Sequence, residues 1–90
     1  MTEFELEIYT QDRRVLSERV RSMIVPAADG YLGVLAHHAP LVTLIGEGMM
    51  LLKGSKVGEV EYPVSGGFLE VAHNHATLLV DRIDLPEGSR

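Results

Sequence analysis

The stretch "EFELEI", residues 3–8, alternates between acidic and apolar side chains. Successive side chains of an extended chain point to opposite faces, so Phe4, Leu6 and Ile8 share one face and three glutamates share the other. This period of two predicts a half-buried β-strand. We interpret the row of glutamates as solvated surface, because a cation site would need converging partners from elsewhere in the chain.

The rest of the chain continues as short extended segments between turn signals. "QDRR" at 11–14, "DG" at 29–30 and "HNH" at 73–75 predict turns, and "SGG" at 65–67 predicts a break in the chain. Gly33, inside a predicted strand, indicates a bulge or a close backbone approach. About seven to ten strands, with turns every eight to twelve residues or so and no convincing helix, predict an all-β sandwich or small barrel.

Size and composition limit the class of protein. The 90 residues make one domain with a modest core, which we assign to residues 1–85, followed by a polar tail at 86–90. The lack of cysteine excludes thiol catalysis and thiolate metal sites. A formal charge of −5 disfavours nucleic acid and anionic lipid as direct partners. The acidic start predicts no secretory signal, which favours a cytosolic compartment.

Patterns that carry catalysis or metal binding are missing from the sequence. No serine lies in a G-x-S-x-G elbow, and the phosphate-binding loop G-x-x-x-x-G-K-[ST] is absent. His37 and His38 are adjacent and should point to opposite faces of a strand. His73 and His75 could share a face only if a strand ran through Asn74, which we place at a hairpin tip, where Asn tolerates a positive φ. We predict no catalytic residue, no metal site and no cofactor.

Two segments carry a resemblance to a known family. "DGYLGVLAHHAPLVTLIGEGMM" at 29–50, followed by "YPVSGGFLEVAHNHATLLVD" at 62–81, resembles the epsilon subunit of rotary F-type ATP synthases. The matching positions are Gly30, Leu32, Gly33, Val34, Leu35, His38, Ala39, Pro40, Leu41, Gly48, Ser65, Gly66, Gly67, Phe68, Glu70 and Val71. Because two motifs occur in the right order and at the right separation, the resemblance is specific, and it covers residues 3 to 84.

The resemblance implies a flattened β-sandwich of two antiparallel sheets, bound to the γ subunit and the c ring at the foot of the central stalk. It implies a non-catalytic rotor subunit that helps couple proton-driven (or sodium-driven) rotation to ATP synthesis, without a cofactor or a small-molecule substrate. The expected location is the cytoplasmic face of a bacterial plasma membrane, which the subunit reaches only through the complex.

The resemblance also points to residues that contact γ or the c ring. The expected contacts form a compact, weakly charged surface that consists of Tyr31, His37, His38, Ala39, Pro40 and Leu41. A simpler interpretation stays open, in which Gly33 and Pro40 only shape a tight connection. The sequence also departs from the family pattern, because Ala36-His37 replaces the usual Pro-Gly and Tyr31 replaces a frequent Glu or Asn. These departures change the rigidity and the charge of the segment.

Family members usually continue into two C-terminal helices that extend along γ and restrain ATP hydrolysis, whereas this sequence ends at Arg90. No tag residues are visible, so we expect a naturally short chain that lacks this brake. Two other classes stay open. A lipoyl or biotinyl carrier domain needs a modified lysine at a hairpin tip, but the residues around Lys53 and Lys56 match neither type. A stand-alone β-sandwich adaptor is the other alternative.

Overall fold

The computed structural model describes residues 2–54 and 58–84. Within these residues the fold contains β-strands and no helix, which confirms the predicted all-β class. The predicted tail at 86–90 lies outside the described residues. In chain order the strands are β1 (Phe4–Tyr9), β2 (Arg14–Val20), β3 (Ser22–Ala27), β4 (Gly30–Leu35), β5 (Leu41–Leu44), β6 (Glu47–Gly54), β7 (Gly58–Ala72) and β8 (His75–Ile83).

The strands fold into two layers that share β7. Neighbouring strands follow the order β2-β1-β8-β7-β6-β3-β4, and β5 also pairs with β7. The first half of β7 pairs with β6, and its second half pairs with β5 on one side and β8 on the other. We call β2, β1, β8, the second half of β7 and β5 the front sheet, and β4, β3, β6 and the first half of β7 the back sheet. The flattened outline of 30 × 29 × 21 Å fits two packed sheets.

The "SGG" segment bends β7 and does not end it. Ser65 pairs with Arg82 and Gly67 pairs with Val80, so the ladder with β8 stays in register through the segment. The predicted break at 65–67 is therefore wrong. The bend comes from Gly66 and Gly67, whose φ angles of 73° and 115° are open to glycine and rare for other residues.

Strand pairing in the described residues is antiparallel, as predicted, with one exception. β1 runs parallel to β8, with Leu6 opposite Ala76 and Ile8 opposite Leu78. The predicted bulge or close approach at Gly33 is wrong, because Gly33 pairs regularly with Ile24 and a Cβ there would meet nothing within 4 Å.

One apolar core fills the space between the two sheets. The alternation at the start of the chain places Phe4, Leu6 and Ile8 in this core, where each is at most 1% exposed. Full burial of one such side chain is worth about 1.5–3 kcal/mol relative to exposure. The other buried members are Leu16, Val20, Met23, Val25, Val34, Ile45, Met50, Leu52, Tyr62, Val64, Leu69, Val71, Ala76, Leu78 and Val80.

Candidate functional site

The outer face of the front sheet carries a continuous row of exposed apolar side chains. Leu44 of β5 pairs with Phe68 of β7, and Phe68 pairs with Leu79 of β8, so the three side chains lie side by side on one face. Val42 lies two residues before Leu44 on the same face. Their exposed fractions are 70% for Val42, 65% for Leu44, 41% for Phe68 and 38% for Leu79. We call these four residues the apolar strip.

The glutamates of β1 and Glu3, which directly precedes it, form a charged border beside the apolar strip. Arg14 Nη1 lies 3.0 Å from Glu7 Oε2, and Arg19 lies 2.8 Å from Glu5 and 3.3 Å from Glu3. These arginines belong to β2, which pairs with β1 in the same sheet. The predicted solvated row is therefore a set of ion pairs at the surface, in which the arginines and Glu5 are exposed and Glu3 and Glu7 are half-buried. Surface ion pairs are worth about 0–1 kcal/mol each. An apolar centre with a polar border is the usual anatomy of a protein interface.

Glu7 is the most highly connected carboxylate of this border. Its oxygens accept hydrogen bonds from Arg14 and from the Tyr9 hydroxyl at 3.3 Å, and His75 Nε2 lies at 3.3 Å. Partial burial raises the pKa of Glu7, but the hydrogen bonds and the charge of His75 together outweigh it and hold that pKa below its ordinary value. Glu7 therefore stays ionised at neutral pH and serves as a structural link between β1, β2 and β8.

The loop between β4 and β5, residues 36–40, joins the back sheet to the front sheet, and we call it the contact loop. His37 has a φ of 64°, and its N–H donates to Asn74 Oδ1 at 2.7 Å. The N–H of His38 donates to the carbonyl of Leu35 at 3.2 Å. His38 Nδ1 lies 2.6 Å from the carbonyl oxygen of Ala39. These contacts give a short loop of non-glycine residues one defined shape.

The predicted contact residues do not all lie on one surface. His37, Ala39 and Pro40 are exposed in the contact loop, and His38 is half-buried there. Tyr31, in contrast, lies near the start of β4, on the outer face of the back sheet, and its hydroxyl accepts the Met49 N–H at 3.3 Å. An extended chain rises about 3.3 Å per residue, so Tyr31 is about 13 Å from the end of β4 where the contact loop begins.

Leu41, the last of the predicted contact residues, is half-buried. It pairs with the buried Val71 and packs against the core, because this register turns its side chain to the inner face of the front sheet. The exposed apolar residues of β5 are its neighbours, Val42 and Leu44. The signal for them was present in the sequence, since "LVTL" at 41–44 carries apolar side chains on both faces of a strand.

The back sheet also exposes apolar side chains. Leu35 is 63% exposed, and its cross-strand row continues through the polar residues Ser22 and Lys53. The other exposed apolar residues of this face are Tyr31, Ile24 and Met49, whose cross-strand neighbours include Pro26, Leu51 and Pro63. What distinguishes the strip on the front sheet is its place in the chain, because it begins directly after the contact loop.

The structure also bears on the remaining predicted sites. Among the described residues no three His, Asp or Glu side chains are grouped so that they could hold a metal ion. His73 and Asn74 both have positive φ and form the tip of the β7–β8 hairpin, so His73 does not continue the strand face of His75.

Lys53 lies inside β6, paired with Glu59, whereas a carrier lysine occupies a hairpin tip. Lys56 lies outside the described residues. Residues 2–54 and 58–84 hold no helix suited to crossing a membrane.

Fold and surface together define a small β-sandwich that presents a strip of exposed apolar side chains on its front sheet. Residues 3–86 match the family described as the ATP synthase delta/epsilon chain β-sandwich domain. The ATP synthase epsilon chain of Mesorhizobium japonicum is 38% identical over 91 residues, which cover 91% of this chain and 67% of that protein. The ATP synthase epsilon chain of Solibacter usitatus is 46% identical over 79 residues, which cover 86% of this chain and 57% of that protein. The chain therefore belongs to the ATP synthase delta/epsilon family, and it matches the β-sandwich domain of that family.

Solved structures show the same fold at low sequence identity. A chain in the Euglena gracilis mitochondrial ATP synthase superposes with a TM-score of 0.87 at 23% identity, over 100% of this chain and 57% of that chain. A chain in the central stalk and c-ring structure of the Tetrahymena thermophila enzyme gives a TM-score of 0.73 at 13% identity, over 89% of this chain and 64% of that chain. The present chain thus spans somewhat more than half of each of these chains.

Proposed function

We propose that this chain is the β-sandwich part of a non-catalytic rotor subunit of an F-type ATP synthase. In this proposal it binds the γ subunit and the c ring, rotates with them, and helps couple ion-driven rotation to ATP synthesis at sites in other subunits. It sits at the cytoplasmic face of a bacterial plasma membrane and reaches the membrane only through the complex. Family membership supports the subunit assignment, and the surface of the front sheet supports the docking role.

The apolar strip is the observation that carries the docking role. Large contiguous apolar patches with a polar border are uncommon on monomeric proteins and mark interaction sites. The strip crosses three strands, begins two residues after the contact loop, and has ion pairs on its other side. Strip and contact loop therefore offer a partner one surface, with an apolar centre for affinity and a shaped loop for orientation.

The packing of the sandwich suits a part that transmits torque without chemistry. A close-packed interior is only slightly compressible, so a force applied to the front sheet passes to the back sheet without a change of shape. β7 belongs to both sheets and ties them together covalently. A load on the strip thus acts directly on the strand that spans the molecule.

Matched leucines on the two sheets provide the test. Leu44 is 65% exposed and Leu35 is 63% exposed, so the two positions differ in location and hardly in exposure. Burying the exposed part of Leu44 under a partner would contribute about 1–2 kcal/mol, or about five- to thirtyfold in affinity. We expect Leu44→Thr to weaken binding to a purified γ–c-ring assembly by this factor and Leu35→Thr to leave binding unchanged.

Titration calorimetry with the wild-type chain and both variants measures these affinities. Equal effects of the two substitutions would contradict the front sheet as the docking face. If the wild-type chain does not bind the assembly, and no ATP synthase subunit co-purifies with the native protein, the rotor role is rejected in favour of a stand-alone adaptor. The coupling role is tested separately: the wild-type chain is added to membranes depleted of this subunit, and the recovery of ion-driven ATP synthesis is measured.

A further inference from the structure

The turn between β7 and β8 holds the contact loop through one side chain, that of Asn74. Asn74 Oδ1 accepts the His37 N–H at 2.7 Å, and Asn74 Nδ2 donates to the carbonyl of Glu3 at 2.9 Å. Its own carbonyl accepts the N–H of Glu5 at 3.2 Å. Asn74 thus connects three separate segments, namely the contact loop, the hairpin tip and the start of β1.

The two ends of the amide require asparagine at this position. One end faces a backbone donor and the other faces a backbone acceptor, so the contacts themselves fix the orientation of the amide. An ionised aspartate could accept from His37 but could not donate to Glu3. Glycine would lose both contacts.

The hairpin tip presents this side chain on a rigid support. Ala72 pairs with His75, and the two residues between them have φ angles of 54° and 60°, as in a two-residue type I′ turn. On the other side of the contact, His37 adopts a positive φ that is uncommon outside glycine. A specific acceptor for its N–H therefore favours this conformation over others that the loop could adopt.

We infer that Asn74 is a positioning residue, whose side-chain amide fixes the contact loop in the shape that docks to the rotor. This inference rests on the proposed function, because it assigns Asn74 a role in the same docking surface. A loop that is ordered before binding loses less conformational entropy when it binds. Loss of the hydrogen bond between Asn74 and His37 therefore lowers affinity without removing any contact to the partner.

Asn74→Gly is the decisive variant, because glycine keeps the positive φ of the turn and removes only the two side-chain hydrogen bonds, to His37 and to Glu3. We expect amide hydrogen exchange at His37, followed by NMR in the free chain, to become about three- to tenfold faster, the worth of one hydrogen bond. Affinity for the γ–c-ring assembly should fall by a similar factor, while circular dichroism checks that the variant is folded. Asn74→Asp should retain most of the protection at His37, and His73→Asn, in the same turn, should change neither quantity.

Each contrary result has a distinct meaning. Unchanged exchange at His37 in Asn74→Gly would show that the hydrogen bond from His37 to Asn74 does not order the loop. Faster exchange with unchanged affinity would reject the positioning role, and so would an equal loss of affinity in His73→Asn. A wild-type chain that fails to bind the assembly rejects the proposed function itself, whatever the exchange rates are.

Discussion

Gly67 is the position where an added methyl group should damage the fold most. Its φ of 115° lies in a region that only glycine occupies readily. A Cβ there would collide with the carbonyl oxygen of Leu79 and would lie 2.8 Å from the Cα of Val80. Both contacts are backbone atoms of β8, which pairs with β7 at this point, so they cannot yield without opening the ladder.

The expected cost of Gly67→Ala follows from these two effects. Backbone strain of this kind costs about 1–3 kcal/mol. Displacement of tightly packed neighbours costs about 1–3 kcal/mol more. The sum of about 2–6 kcal/mol is a large share of the roughly 5–15 kcal/mol that stabilises a typical domain. Since 1 kcal/mol shifts the midpoint of a domain of this size by about 4–8 °C, we expect a drop of at least about 8 °C.

Thermal unfolding followed by circular dichroism measures this drop, with Gly33→Ala as the matched control. A Cβ at Gly33 meets nothing within 4 Å, and alanine in a strand is favoured over glycine by about 0.5–1 kcal/mol. The thermal midpoint of Gly33→Ala should therefore equal or exceed that of the wild type. A Gly67→Ala protein that melts within about 2 °C of the wild type, or a Gly33→Ala protein that loses as much stability, would refute the reasoning.

Two further predictions concern neighbouring strands of the front sheet. Leu78→Ala should lower the free energy of unfolding, measured in urea, by about 2–5 kcal/mol, because Leu78 is fully buried. Leu79→Ala, on the exposed face, should cost less than about 1 kcal/mol. Similar losses for both variants would contradict the assigned faces. The lowered pKa of Glu7 means that this carboxylate stabilises the fold above the pKa it has when unfolded, and that the stabilisation disappears as the pH falls through its folded pKa. Wild type should therefore exceed Glu7→Gln in stability at pH 7 and lose this advantage progressively as the pH falls below the pKa that Glu7 has when unfolded, in urea titrations over a series of pH values. Glu70→Gln on the same face is the control for loss of one charge, and an advantage over Glu7→Gln that does not decrease with falling pH would argue against the ion pairs of Glu7.

Much of the fold could be predicted because its signals are local. The period of two in residues 3–8 identifies a half-buried strand without knowledge of its neighbours, and Asn74 at a hairpin tip follows from the tolerance of Asn for positive φ. The parallel pairing of β1 with β8 could not be predicted, since the choice of partner depends on contacts about 70 residues apart in sequence. The "SGG" segment likewise indicates a change of direction locally, but only the register with β8 shows that pairing continues.

The candidate site was predicted in part, for a related reason. The contact loop stood out in the sequence through its His and Pro residues, but the apolar strip did not, because both faces of residues 41–44 carry apolar side chains. Only the pairing of Leu41 with Val71 decides which face is buried. The hydrogen bond between His37 and Asn74 joins residues 37 positions apart, so no local pattern in the sequence indicates it.

Hydrogen–deuterium exchange of the wild-type chain, free and bound to a purified γ–c-ring assembly, tests the docking face most directly. The account predicts that binding slows exchange in the contact loop and in β5, while exchange in residues 22–24 and 33–35 of the back sheet stays as it is in the free chain. Slower exchange confined to the back sheet, or no binding at all, would contradict it.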